Sequence, residues 1–113
     1  MSEVTNVIIS FSIGESEVDR LEDINSFYNN GQGFKIISAD FQRKKNWLGR
    51  DNRKAWYGGE KFLETPLYIG AFNNLDIDGL QIHLGNISWD EPENVQLIIK
   101  TQFSDKFEIF EIK

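Results

Sequence analysis

Residues 7–28 have the sequence VIISFSIGESEVDRLEDINSFY, and the hydrophobic period changes half-way along this stretch. The first half repeats at every second residue with β-branched and aromatic side chains, which is typical of a strand. Its repeating positions are Val7, Ile9, Phe11 and Ile13. After Gly14 the apolar positions take a helical spacing, and they are Val18, Leu21, Ile24 and Tyr28. We therefore predict a strand followed by an amphipathic helix from about Ser16 to Tyr28.

The opposite face of this predicted helix is acidic. It carries Glu15, Glu17, Asp19, Glu22 and Asp23. Acidic residues early in a helix complement the positive end of its dipole, and Ser16 with Asp19 three residues later resembles a weak capping box. The Asn/Gly-rich run at residues 29–33 is expected to stop the helix, with Gly31 as the ordinary C-terminal residue.

The rest of the chain adds a second strand–helix unit and a hairpin. Residues 34–41 predict a strand inside the sheet, and residues 66–72 predict a central strand because they are continuously apolar. Asp76 is expected to cap a short second helix. The core face of that helix is Ile77, Leu80, Leu84 and Ile87. Alternating residues 95–103 and 107–112, separated by Ser-Asp-Lys, have the spacing of a hairpin.

These elements predict one α+β domain over residues 1–113. The order β-α-β-β-α-β favours a ferredoxin-like sandwich with both helices on one face of the sheet and an added C-terminal hairpin strand. Residues 42–65 have no dominant period and form a long excursion between the two halves. An aperiodic stretch of this length in a small domain is usually functional or partly disordered.

Composition limits the classes of function. The chain has a net charge of -6 and a pI near 4.7, which disfavours a general nucleic-acid binder and weakly favours a cationic partner. The absence of cysteine removes disulfides and thiolate chemistry. No apolar run is long enough to cross a bilayer, and the first residues lack the features of a secretory signal. We therefore expect a cytoplasmic protein without a membrane partner.

One short part of the excursion, residues 43–54, holds half of the chain's positive charge. The basic residues between positions 43 and 54 are Arg43, Lys44, Lys45, Arg50, Arg53 and Lys54, and the aromatic residues of the excursion include Trp47, Trp56 and Tyr57. Trp, Tyr and Arg are favoured in the centres of protein interfaces, and the same mixture can hold single-stranded nucleic acid. A third interpretation is a solvated loop whose tryptophans pack on the core and whose cations pair with acidic neighbours.

Catalytic and metal chemistry have little support in the sequence. His83 is the single histidine, and an enzyme would have to combine it with a partner such as Asp76 or Asp78. The oxygen-rich residues 73–78 could hold a hard cation, although capping and turn formation explain them as well. Residues 90–93 are expected to form a solvated acidic turn. We expect no cofactor and no metal.

The sequence therefore favours a non-enzymatic interaction protein, most concretely a bacterial immunity or antitoxin protein that binds and neutralises a toxin domain. A nucleic-acid-associated domain and a small enzyme using His83 are the alternatives. The expected partner-binding residues are Trp47, Arg50, Arg53, Trp56 and Tyr57 in the excursion and Glu17, Asp19, Glu22 and Asp23 on the first helix. A monomer or a homodimer is expected, since the last strand could be a sheet edge.

Overall fold

The computed structural model describes residues 3–38 and 66–112. These residues form a five-stranded sheet, a separate two-stranded hairpin and two α-helices. The strands are β1 (Val4–Ser10), β2 (Tyr28–Asn29), β3 (Gln32–Gly33), β4 (Ile37–Ser38), β5 (Leu67–Asn73), β6 (Gln96–Thr101) and β7 (Glu108–Glu111). The helices are α1 (Glu17–Asn25) and α2 (Ile77–Gly85), and a 3-10 turn, Pro92–Asn94, precedes β6. The predicted α+β class is confirmed.

The sheet has the order β4-β5-β1-β6-β7, and each neighbouring pair is antiparallel. The first strand is therefore its centre. Strands β1 and β4 both flank β5, and strands β5 and β6 both flank β1, so the two strand–helix units interleave in one sheet. The predicted C-terminal hairpin is confirmed, since β7 pairs with β6. Strand β4 lies at the edge of the described sheet, so the prediction of an interior position for this strand was wrong.

One face of the sheet carries the core. Val7, Ile9 and Phe11 on and after β1 are buried, and they belong to one cluster with Leu97 and Ile99 of β6. The helices add their own buried side chains to this cluster, which are Ile24 from α1 and Leu80 and Leu84 from α2. Both helices thus pack on the same face of the sheet. Three positions of the predicted core face of α2 are confirmed, since Leu80 and Leu84 are buried and Ile77 is partly buried. Ile87 is also partly buried against the core, but it follows the end of the helix at Gly85.

Helix α1 is shorter than its periodicity predicts. It ends at Asn25, and Val18 and Tyr28, which were assigned to its apolar face, are 72% and 71% exposed. Ser16 occupies the N-cap position but makes no side-chain capping hydrogen bond. Among the apolar side chains of α1, only Leu21 and Ile24 pack in the core, because nine residues make little more than two turns.

The Asn/Gly-rich run forms a hairpin rather than the end of a helix. Helix α1 is already closed at Ser26, and residues 28–29 pair with residues 32–33. Asn30 and Gly31 between them have φ of 51° and 85°. A two-residue turn with positive φ at both positions matches the right-handed twist of paired strands, and Asn-Gly is its preferred sequence.

Helix α2 begins as predicted. Asp76 is its N-cap, and its Oδ1 accepts a hydrogen bond from the Gly79 amide at 3.1 Å. A Cβ at Gly79 would lie 2.3 Å from Asp76 Oδ2, so the small residue leaves room for the cap. Among the described residues, no helix is both long enough and apolar enough to cross a membrane.

Candidate functional site

The acidic face of α1 is the predicted binding surface that the structure describes. Glu17, Asp19 and Glu22 are exposed, and Asp23 is half-buried. The exposed Val18 lies among them, because positions 18, 19 and 22 share one side of a helix. The acidic face, which consists of Glu17, Val18, Asp19 and Glu22, therefore combines three exposed carboxylates with one exposed apolar side chain.

Asp23 differs from the other predicted acidic residues because it is already paired. Its Oδ2 accepts a hydrogen bond from Arg20 Nη1 at 3.0 Å. Arg20 also donates from Nε to Glu15 Oε1 at 3.0 Å, and its guanidinium lies 5.6 Å from the Trp89 ring centroid. The hydrogen bond to Glu15 is the main cause that raises the pKa of Arg20. Asp23 is thus part of an internal ion pair, and its role in binding a partner stays a prediction.

Glu15 is buried beneath the helix, although the sequence placed it on the solvent face. Its side chain is 0% exposed, and Oε2 accepts the backbone N–H of Glu91 at 2.8 Å. Burial opposes its charge, but the backbone N–H groups of Glu91 and Asp90 together with Arg20 hold the pKa of Glu15 below its ordinary value. This carboxylate joins the start of α1 to the loop before β6 and fixes the orientation of the acidic face.

The same loop was expected to be a solvated acidic turn, and this was wrong for Glu91. Glu91 is half-buried, and its Oε2 accepts a hydrogen bond from Ser12 Oγ at 3.0 Å. Trp89 beside it is buried and donates from Nε1 to the Leu84 carbonyl at 2.8 Å. The loop therefore closes the end of the core below α1.

His83 lies between the two helices. Its Nε2 is 2.8 Å from the Asp23 carbonyl oxygen and 3.4 Å from Ser26 Oγ. A carbonyl oxygen can only accept a hydrogen bond, so Nε2 carries a proton and donates it there. Nε2 in this state cannot act as a base toward Ser26, whose hydroxyl donates to the same carbonyl at 2.6 Å. The contacts tie the end of α1 to α2, beside a cavity of about 280 Å³.

The oxygen-rich residues before α2 are engaged in structural hydrogen bonds. The buried Asn29 donates to the Asn73 carbonyl at 3.3 Å and accepts the Asp76 amide at 2.7 Å. Asn74 Oδ1 accepts the Glu3 amide at 3.2 Å. Within residues 3–38 and 66–112, no group of three His, Asp or Glu side chains is placed to hold a metal ion. Asp76 is occupied as a helix cap, and the structure does not bring it together with His83.

The predicted contact residues of the cationic excursion fall outside the described part of the chain. These residues are Trp47, Arg50, Arg53, Trp56 and Tyr57. Their role in binding stays a prediction. The acidic face is therefore the part of the predicted surface that has a described geometry.

The structure adds a surface that the sequence analysis did not identify. The face of the sheet opposite the helices carries an isoleucine at the same register on every strand, and the five are Ile37, Ile69, Ile8, Ile98 and Ile109 in sheet order. We call this set the isoleucine row. Beside it lies an open groove of about 570 Å³ lined by Ala71, Asn6, Lys35 and Phe107 among others. Alternation in each strand signals such a face, but the alignment between strands is not visible in the sequence.

Comparison with known proteins adds no relative. No family model, curated protein or solved structure matches the chain.

Proposed function

We propose that this protein is a non-enzymatic interaction domain that binds a basic partner protein through the acidic face of α1. The observation that carries the proposal is the group of exposed carboxylates, Glu17, Asp19 and Glu22, around the exposed Val18. Complementary charges steer a partner toward such a surface, and an apolar side chain at its centre adds burial on contact.

The rigidity of this face supports the proposal. The buried contact between Glu15 and Arg20 holds the first turn of α1, and Leu21 with Ile24 holds its inner side. A surface that is already ordered loses less conformational entropy when it binds. The exposed carboxylates therefore meet a partner in a fixed arrangement.

The more concrete form of the proposal is an immunity or antitoxin protein, acting in the cytoplasm, that neutralises a toxin domain. A basic nuclease is the class of toxin that fits an anionic binding face, because its own surface is made to hold phosphate. The cationic excursion, with Trp47, Arg50, Arg53, Trp56 and Tyr57, would supply a second contact. The contacts of His83 favour this proposal over a small enzyme, since its Nε2 donates to a carbonyl oxygen.

We also propose that the domain has a ferredoxin-like arrangement with one added strand. Two interleaved strand–helix–strand units support this proposal, namely β1 and β4 around β5, and β5 and β6 around β1. The added strand is β7 at the edge beside β6.

The test is capture and titration of the partner. The tagged protein is purified from its own cells, the stoichiometric partner is identified, and its affinity is measured at low and physiological salt. A triple variant with Glu17, Asp19 and Glu22 changed to lysine should bind at least tenfold more weakly. The matched control changes three exposed carboxylates elsewhere, Asp78, Glu93 and Asp105, by the same charge and should bind within about threefold of wild type.

Two results would count against the proposal. Equal affinity of the two triple variants would show that the acidic face does not make the contact. Binding of a single-stranded oligonucleotide at low ionic strength, detected by tryptophan fluorescence and lost with added salt, would favour the nucleic-acid alternative instead.

A further inference from the structure

The isoleucine row is a continuous apolar strip on the side of the sheet away from the helices. Ile8 at the centre is paired with Ile69 on one side and Ile98 on the other, and the strip ends in Ile109, which is 60% exposed. The core on the opposite face contains the buried residues of both helices. The other four isoleucines are half-buried, and a row of β-branched side chains on a sheet suits packing against another sheet.

The two rows that flank this strip differ in charge. On one side lie Lys35 and Lys100, and the ammonium group of Lys100 is 5.8 Å from the centroid of the Phe107 ring. On the other side lies Glu111, which pairs with Gln96. Neither lysine forms an ion pair with a described residue, although the chain as a whole is anionic. One side of the strip is therefore positive and the other side is negative.

We propose that a second copy of this chain covers the isoleucine row, so that two sheets pack face to face in a symmetric dimer. A two-fold axis along the row places the isoleucine strip of one copy on the strip of the other. The positive row of each copy then lies opposite the negative row of the other. Lys100 and Gln96 lie two residues on either side of Ile98, so Lys100 of one copy stands opposite Gln96 of the other. Glu111 pairs with Gln96, so Lys100 stands beside the second copy's Glu111. The charge pattern is thus complementary to itself.

The size of the face sets the expected strength. Five strands about 4.8 Å apart and three side-chain rows about 6.8 Å apart give a patch on the order of 24 by 20 Å. Two such patches bury on the order of 1,000 Å² in total, which is the lower end of specific interfaces. We therefore expect a dissociation constant in the micromolar range, with monomer at low and dimer at high protein concentration.

The first test is sedimentation equilibrium over a wide range of protein concentration. Wild type should move from the 13.1 kDa monomer to twice that mass. Ile109→Lys should weaken self-association at least tenfold. The matched control is Ile82→Lys, an isoleucine that is 67% exposed on α2, and it should differ from wild type by less than twofold.

The second test is a charge exchange that reports the orientation of the two sheets. Lys100→Glu and Glu111→Lys should each weaken the dimer, and the double variant should return to within about threefold of wild type. Within one chain Glu111 pairs with Gln96, four residues from Lys100, so restoration would come from the second copy. A wild-type chain that stays monomeric at every concentration overturns the proposal. Failure of the double variant to restore association overturns it as well.

Discussion

Replacement of Glu15 by glutamine tests the buried ion pair that orients the acidic face. The carboxylate accepts hydrogen bonds from Arg20 Nε and from the Glu91 amide, and its side chain is 0% exposed. Glutamine has a similar shape but carries no charge. Its NH₂ group is a donor and cannot accept the hydrogen bonds that the carboxylate accepts from Arg20 and the Glu91 amide. Loss of one partner from a buried pair costs about 3–5 kcal/mol. We expect Glu15→Gln to lower the free energy of unfolding by about 3 kcal/mol, because Arg20 keeps its bond to Asp23.

The assay is urea unfolding followed by circular dichroism, with thermal unfolding as a second readout. A loss of about 3 kcal/mol corresponds to a fall of at least about 12 °C in Tm for a domain of roughly 100 residues. Asp19→Asn, an exposed acidic position on the same helix, is the control and should change stability by less than about 0.5 kcal/mol.

The pH dependence gives a second check with a defined sign. The pKa of Glu15 in the folded protein lies below its ordinary value, so the unfolded chain binds the proton more readily. Its contribution to stability is complete above the unfolded pKa and is lost as the pH falls through the folded pKa. The difference between wild type and Glu15→Gln should be constant from about pH 7 to 5.5 and should shrink below pH 4.5. A difference under about 1 kcal/mol, or one that is independent of pH, would refute the ion-pair argument.

Three further predictions concern local geometry. Gly79→Ala should change the free energy of unfolding of wild type by less than about 0.5 kcal/mol, because the gain in helix propensity is offset by displacement of the Asp76 cap. In the Asp76→Ala background, where no cap is displaced, the same change should stabilise the protein by about 1 kcal/mol. Additive effects in a double-mutant cycle measured by urea unfolding would contradict the steric link between the two residues. Gly31→Ala should lower the free energy of unfolding by about 1 kcal/mol in the same assay, because residue 31 has a positive φ. The control is Gly33→Ala, which has equal space for a Cβ but no positive φ and should lose less stability. Equal losses would argue against the hairpin turn. Tyr68→Phe removes a buried hydroxyl that donates a hydrogen bond to a carbonyl of α1 and should lower the free energy of unfolding by about 1 kcal/mol. Because burial raises the pKa of Tyr68, absorbance at alkaline pH should show this phenol ionising only when the protein unfolds. Titration of the phenol in the folded state would contradict the buried contact.

Local features of the fold were predictable because the residues that determine them are adjacent in sequence. Asp76 lies three residues before the amide that it caps, and the two strands of the C-terminal hairpin are joined by the loop at residues 102–107. The edge position of β4 was not predictable from the sequence. Apolar residues on both faces of a strand indicate that it is buried, but they do not show which strands pair with it. Asn30-Gly31 did carry a hairpin signal, and the apparent length of the preceding helix concealed it.

The candidate site shows the same division between local and distant partners. The exposure of Glu17, Asp19 and Glu22 follows from the helical spacing of Leu21 and Ile24. Glu15 has the same sequence character as these three, yet its partners are backbone amides of a loop 76 residues away. The one available signal was Arg20, the single base in a helix of acidic residues.

The central position of β1 has a consequence for how the protein folds during synthesis. Ser10 of β1 pairs with Leu67 on one edge and with Gln96 on the other. Both edges of this strand therefore stay unpaired until residues much later in the chain have been translated. At about 5–20 residues per second, Gln96 leaves the ribosome roughly 4–17 s after Ser10. An unpaired strand with two open edges is a site for incorrect association during that interval. The yield of soluble protein should therefore depend on translation speed and on chaperones that hold extended chains, more than on the stability of the finished domain.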